Sequence, residues 1–115
     1  MSAPAIRRVG IVGTDVIGAS WAAFFLARNL DVTATDPAPG AEQRLRDAVQ
    51  RHWPALERMG LADGSSLERL RFEPALERAL DGCDFVQENG PERADLKADL
   101  YARMDAAVPP HVLLA

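Results

Sequence analysis

The sequence predicts an α/β domain in which a parallel sheet is doubly wound by helices, with the strand order 3-2-1-4-5. Three observations predict it. Apolar runs of strand length, bounded by turn residues, alternate along the chain with longer segments of helical period, the pattern that gives right-handed crossovers and helices on both faces of a sheet. The first strand closes on a glycine turn that opens directly into a helix, Val9 to Ala27. The second strand closes on an acid, Asp36, that lies 23 residues beyond Gly13.

Taken in order, Ala5 to Val12 reads as strand one, with Arg7 and Arg8 ahead of an apolar stretch suited to a buried parallel strand. Helix one is expected from about Asp15 to Asn29. Its run of small and apolar residues is too long for a strand and too apolar for a surface helix. Trp21, Phe24, Phe25 and Leu26 are expected in the core. The β-branched Val32, Thr33 and Thr35 mark strand two. After a loop over Pro37 to Gly40, a charged amphipathic helix runs from Ala41 to Met59, with Leu45, Val49, Trp53 (or His52) and Leu56 at helical spacing. Pro54 should kink or split that helix, and Gly60 should stop it.

Leu61 to Ser66 is a loop in which Ser65 or Ser66 can cap a short turn. Leu70 to Phe72 is strand three, and Glu73 to Leu80 a short helix. Asp81-Gly82 turns the chain into strand four, Cys83 to Gln87. Pro91 and Glu92 suit the first turn of the next helix, because proline lacks only an N–H that has no helical acceptor and an acid opposes the helix dipole. That helix runs to about Ala107 with Leu96, Leu100 and Met104 on one face. Pro109-Pro110 ends it, and His111 to Ala115 begins strand five.

The strand, glycine turn, helix, strand and acid together match a dinucleotide-binding βαβ unit, so the fold is expected to be of Rossmann type. A glycine after the strand permits the sharp turn. The helix N-terminus directs free N–H groups at a pyrophosphate. An acid at the end of strand two accepts hydrogen bonds from ribose hydroxyls, and Asp36 sits near the expected spacing of about 20 residues. The loop reads Gly13-Thr14-Asp15-Val16-Ile17-Gly18, so aspartate stands where the G-x-G-x-x-G pattern has its middle glycine. At roughly 5 Å and an effective dielectric near 20, a carboxylate facing a phosphate repels it by about 3 kcal/mol per charge pair before solvent screening. Dinucleotide binding is therefore expected to be weakened at least tenfold or abolished. Asp15 also suits the N-cap of helix one, and one side chain can both cap the helix and obstruct the anion.

Bulk composition narrows the classes. The chain has 115 residues, 48% of them hydrophobic, enough for one domain with one core. A net charge of −4, with no basic run, disfavours nucleic acid and anionic membrane as partners. The single cysteine, Cys83, excludes an internal disulfide and fits a reducing cytoplasm. No signal-peptide core precedes strand one, and the apolar helix after Gly18 is too short to span a bilayer. No metal-ligating cluster is evident.

The segments GTDVIGASWAAFFLARNLDVTATDPAPGAE, HWPALERMGLADGSSLERLRF and DFVQENGPERADLK, which span nearly all of the chain, resemble the N-terminal NAD-binding part of the 3-hydroxyacyl-CoA dehydrogenase superfamily. The resemblance is strongest to the branch that oxidises the 3-hydroxyl of L-carnitine to 3-dehydrocarnitine. It implies NAD as cofactor, Gly13 to Gly18 (Gly13, Thr14, Asp15, Val16, Ile17 and Gly18) as pyrophosphate loop, and Asp36 on the adenosine ribose. It places Glu92 and Lys97 near the nicotinamide half, with Glu88 and Asn89 lining the same loop. NAD is expected over NADP because Asp36 repels a 2′-phosphate, and the nearest arginines, Arg44 and Arg46, lie on the following helix. The resemblance also places the family's catalytic histidine and its acidic partner beyond strand five, and His52 and His111 match neither. The chain is thus expected to be a cofactor-binding fragment of a larger dehydrogenase, with no catalytic residue and no turnover of its own. A stand-alone nucleotide-binding module is disfavoured by Asp15. The alternative is a ligand-free structural domain that self-associates through an uncovered strand edge and apolar surface.

Overall fold

The structure is a computed structural model that describes residues 6–89, 94–109 and 112–114. Strands β1 (Arg8–Val12), β2 (Asp31–Thr35), β3 (Leu70–Phe72), β4 (Phe85–Glu88) and β5 (Leu113–Leu114) form one sheet in the order β3-β2-β1-β4-β5. Each neighbouring pair is parallel, as the alternation predicted. Helices α1 (Val16–Ala27), α2 (Ala41–Met59), α3 (Leu76–Ala79) and α4 (Ala94–Ala107) occupy the crossovers.

The two faces have separate cores. Val9 and Ile11 of β1, Val32 and Ala34 of β2 and Leu70 of β3 pack against Ala19, Ala22, Ala23 and Leu26 of α1 and Leu45 and Val49 of α2. On the other face, Val12 and Val86 meet Leu76, Leu80 and Met104. Each alanine of α1 adds only a Cβ to this layer, so most of its bulk comes from Val9, Ile11 and Val32 of the strands and Leu26 of the helix.

Several boundaries differ from the sequence reading for identifiable reasons. Helix α1 stops at Ala27, two residues earlier than expected. Asn29 takes φ +66, its N–H donates to Leu26 O and the Leu30 N–H donates to Phe25 O, a left-handed C-terminal cap. Helix α2 is one run through Pro54, so the expected split does not occur. The hydrogen bond that Pro54 cannot make would go to Gln50, and both residues are exposed, so water reaches the carbonyl while Leu45, Val49, Trp53 and Leu56 pack the other side. Gly60, at φ +98, ends the helix as predicted. Ser66 caps the short 3-10 turn Leu67–Arg69, its hydroxyl accepting the Glu68 N–H at 3.1 Å.

Helix α3 begins at Leu76, not Glu73. The Glu73 N–H extends the ladder to Ala34 O at 2.9 Å, its carboxylate accepts the Ala75 N–H, and Ala75 is still extended. Strand β4 starts at Phe85, two residues later than expected. Cys83 is tied back into the turn by its N–H to Leu80 O, and the Asp84 carboxylate accepts the N–H groups of Arg7 and Arg8. Strand β1 starts at Arg8, and Ala5 lies outside the described residues. Strand β5 holds Leu113 and Leu114, while His111, Pro110 and Ala115 lie outside the described residues.

The aromatic residues of α1 require a correction. Leu26 is fully buried and Phe25 partly so, but Trp21 and Phe24 are 38% and 47% exposed. The helices after β1 and β2 cover this sheet face over β1–β3, and no described helix covers it over β4 and β5. Trp21 and Phe24 lie toward that uncovered side, Trp21 stacked on Phe25 and Phe24 edge-on to it, and Phe25 in turn meets Phe85 of β4. A 12-residue helix that is apolar all round, as α1 is, needs neighbours on every side to hide it.

Candidate functional site: the crevice between β1 and β4

The strand order reverses direction between β1 and β4, and the loops that leave these two strands meet there. Gly13 leaves β1 at φ +93, a backbone that favours glycine, and its N–H donates to Thr35 O at 2.9 Å. The Asn89 N–H, just beyond β4, donates to Val12 O at 2.8 Å. Glu88 ends β4 opposite Val12 and is buried. The sequence placed both loops on this crevice, and the structure brings them together.

Gly18 shows why the last glycine of the motif is needed. A Cβ there would stand 1.9 Å from the Gly13 carbonyl oxygen and 3.5 Å from the Asn89 side-chain nitrogen. The first turn of α1 therefore rests directly on the loop that precedes it. Thr14 is buried, whereas Asp15, Val16 and Ile17 are exposed.

Asp36 is the hub that fixes the loop to β2. Its Oδ2 accepts the Thr14 N–H at 2.8 Å and the Thr14 hydroxyl at 3.2 Å, and its Oδ1 accepts the Ala38 N–H at 2.8 Å. An ionised carboxylate has about four acceptor sites, so capacity remains for a further donor. The acid predicted for a ribose is thus also the clamp that joins the glycine loop to the end of β2.

Asp15 occupies the N-cap position, with extended backbone at φ −71, but its carboxylate accepts no hydrogen bond from the helix. Capping by the side chain, expected from sequence, is absent, and the first-turn N–H groups of α1 stay available to an anion. Because φ is ordinary here, the chain does not need glycine at this position for its own fold. Asp15 lines a small cavity of about 220 Å³ with Arg44, Asp47 and Arg51 of α2. The sequence placed Arg44 on α2 but not beside Asp15, and did not single out Arg51, because their helical spacing marks only a solvated face. Arg44 also donates to Pro39 O at 2.8 Å, bracing the loop after Asp36.

Glu92 and the side chain of Lys97 lie outside the described residues, as do Gly90 and Pro91. His52 is exposed on α2, with its Nε2 3.4 Å from the Ser20 hydroxyl. Among the described residues no cluster of three metal-ligating side chains occurs, and no helix is long and apolar enough to cross a membrane.

Comparison with known proteins decides the family. The model of the 3-hydroxyacyl-CoA dehydrogenase NAD binding domain matches residues 8–115. The chain belongs to this NAD binding domain family. Within it, the domain is 56% identical over 110 residues to an L-carnitine dehydrogenase of Streptomyces coelicolor, a match covering 96% of this chain and 35% of that protein. It is 50% identical over 109 residues to an L-carnitine dehydrogenase of Pseudomonas putida, covering 95% of this chain and 34% of that one. The domain therefore spans about a third of the length of the curated relatives it matches. Among solved structures it resembles an (S)-3-hydroxybutyryl-CoA dehydrogenase from Ralstonia eutropha, with a TM-score of 0.82 at 27% identity over 96% of this chain and 40% of that one. The cofactor and the Rossmann-type fold inferred from the glycine loop and Asp36 are those of the family.

Proposed function

We propose that this domain binds NAD in the β1/β4 crevice, with the pyrophosphate over the Gly13 to Gly18 loop and the adenosine ribose on Asp36. We further propose that a longer polypeptide containing it oxidises the 3-hydroxyl of L-carnitine to 3-dehydrocarnitine. The observation that carries the first part is the uncapped first turn of α1, fixed to Asp36 through Thr14. The free amides suit a diphosphate and the acid suits a ribose diol, one at each side of the same loop. The second part is supported by the likeness to L-carnitine dehydrogenases over nearly the whole chain.

NAD, when bound, supplies the hydride acceptor. The protein's contribution from this domain is to hold the cofactor and orient its nicotinamide end toward Glu88, Asn89, Glu92 and Lys97. Removing a hydride from a secondary alcohol also requires a base within hydrogen-bond reach of the hydroxyl. In this reading the domain's residues hold and orient the cofactor, and the base is supplied elsewhere in the longer polypeptide.

Asp15 is the one residue that opposes the assignment and favours a ligand-free domain. Its exposed carboxylate lies between the water and surface limits, so at about 5 Å the repulsion of a phosphate is ~1 to ~3 kcal/mol per charge pair. Arg44 and Arg51 line the same cavity together with Asp47, so α2 adds one net positive charge there. Titration of NADH, followed by its fluorescence, should give weak binding for the wild type and tighter binding for Asp15→Gly, by roughly fivefold to a hundredfold per charge pair. Asp15→Asn separates charge from bulk, and rising salt should narrow the gap between wild type and Asp15→Asn. If neither the wild type nor Asp15→Gly binds NADH, the ligand-free reading replaces this one.

A further inference from the structure

The sheet face that carries β1, β2 and β3 away from α1 and α2 has an unexpected composition. Side chains alternate along a strand, and Val9, Ile11, Val32, Ala34 and Leu70 all point to the α1–α2 core. Arg8, Asp31, Thr33 and Arg71 therefore belong to the opposite face, where register sets Arg8 beside Asp31 and Thr33 beside Arg71. Parallel strands covered on both faces are normally apolar throughout. Here the covering residues Leu76, Leu80 and Met104 gather with Val12 and Val86, over β1 and β4. What remains over β2 and β3 is a cavity of about 380 Å³ whose lining includes four arginines, Arg8, Arg69, Arg71 and Arg78.

The arginines come from three separate segments of a chain whose net charge is −4, so composition does not account for their meeting. Three acids also line the cavity, Asp31, Glu73 and Asp81. Two of them are engaged within the protein. Asp31 accepts from Arg69 Nε at 2.9 Å, and Glu73 accepts the Ala75 N–H at 3.2 Å. Arg69 also donates to Asn29 and to Gly64 O. The hydrogen bond from Arg69 holds the Asp31 carboxyl below its ordinary value, and the nearby charges of Arg8 and Arg71 add to this. Three positive groups thus converge around one carboxylate, and Arg69 already serves it. The guanidinium groups of Arg8, Arg71 and Arg78 make no side-chain hydrogen bond or ion pair among the described residues.

We propose that this cavity, floored by β2 and β3, binds a compact phosphate-bearing anion through Arg8, Arg71 and Arg78, with the Thr33 hydroxyl as a further donor. A guanidinium group presents a planar fork that matches phosphate oxygens in pairs, and three forks suit an anion of several charges better than a single carboxylate. The volume is at the small end of ligand sites and its walls are polar, which fits a phosphate or diphosphate group and not a whole dinucleotide. Arg8 and Asp31 begin their strands, whereas Gly13 and Asp36 follow the ends of the same strands. Thr33 lies three residues before Asp36 on β2 and Arg8 five before Gly13 on β1, roughly 10 to 16 Å of strand, so this anion and the cofactor are not competitors.

Inorganic pyrophosphate is the probe. At constant ionic strength it should raise the melting temperature of the protein, and equal ionic strength of chloride should not. The exposed pair Arg71→Ala/Arg78→Ala, shown folded by circular dichroism, should weaken calorimetric binding of pyrophosphate at least about tenfold. Saturating NADH should leave that affinity unchanged in Asp15→Gly, whose NADH binding is measured separately. A chloride-sized effect overturns the proposal. So does binding that survives Arg71→Ala/Arg78→Ala, or that NADH displaces, because the anion then sits on the first turn of α1.

Discussion

Gly18→Ala sets helix propensity against packing, and the structure decides the sign. Alanine is favoured over glycine in a helix interior by about 1 kcal/mol, so propensity alone predicts a more stable protein. The added Cβ, however, would lie 1.9 Å from the Gly13 carbonyl oxygen and 2.9 Å from its carbon, and contacts under 3.0 Å do not persist. Backbone must therefore move by about 1.1 Å (3.0 minus 1.9). Neither partner can do so freely. Gly13 is held at φ +93 and by its hydrogen bond to Thr35 O at 2.9 Å, while α1 is held by Ala19, Ala22, Ala23 and Leu26 in the core. Overpacking costs about 1–3 kcal/mol, and a shift of this size against fixed backbone belongs at the upper end, so after the propensity gain the net expectation is a loss of about 2 kcal/mol. For a domain of this size that is a fall in melting temperature of roughly 8–10 °C. Ser20→Ala, on the exposed side of the same helix, should change stability by no more than about 0.5 kcal/mol. Differential scanning calorimetry of the two variants tests the argument. If Gly18→Ala melts at or above the wild type, the close contact between α1 and the Gly13 turn is not as described.

Asp36→Ala removes the acceptor of Thr14 and Ala38, so urea denaturation should show about 1–3 kcal/mol lost, and NADH binding should disappear with it. Burial, with Asp84 and Asp81 adding, pushes the Cys83 thiol up to about 11. The folded state therefore holds its proton where the unfolded thiol releases it, so stability should be constant below about pH 8.5 and fall as pH rises toward 11. The same burial should leave Cys83 unreactive to a disulfide reagent at pH 8 until denaturant is added. The Asp31 carboxyl, lowered by Arg69, should contribute stability that is complete above the ordinary aspartate value and lost as pH falls below it. Because the pair is partly exposed, Asp31→Asn should cost no more than about 1 kcal/mol at neutral pH, read from chemical denaturation.

Most of the architecture was legible in the sequence because each element carried its own local signal. Leu45, Val49 and Leu56 give α2 a helical period, and Gly60 stops it. Gly13 marks the turn after β1, and the alternation of strands and helices restricts the sheet to few orders. The misplaced boundaries arise where a distant group competes with local preference. Glu73 joins the ladder because Ala34 O is waiting, and Asp84 holds β1 where Cys83 would have begun a strand. Trp21 and Phe24 were misjudged for the same reason. Their apolarity says that they seek cover, and only the order of crossovers shows that the sheet face beside them has no described helix.

The sequence alone determined the parallel α/β class, the strand order, the glycine loop with its following acid and the discord at Asp15, since these depend on residue type and spacing along the chain. Tertiary structure decided which side chains meet across it. It showed that Asp36 clamps Thr14, that Asp15 leaves the helix uncapped beside Arg44 and Arg51, and that four arginines line one cavity on the sheet. Spacing along a chain fixes local conformation, but Arg8, Asp31, Arg71 and Arg78 come to line one cavity only once the strands have paired in register and α3 has folded over them.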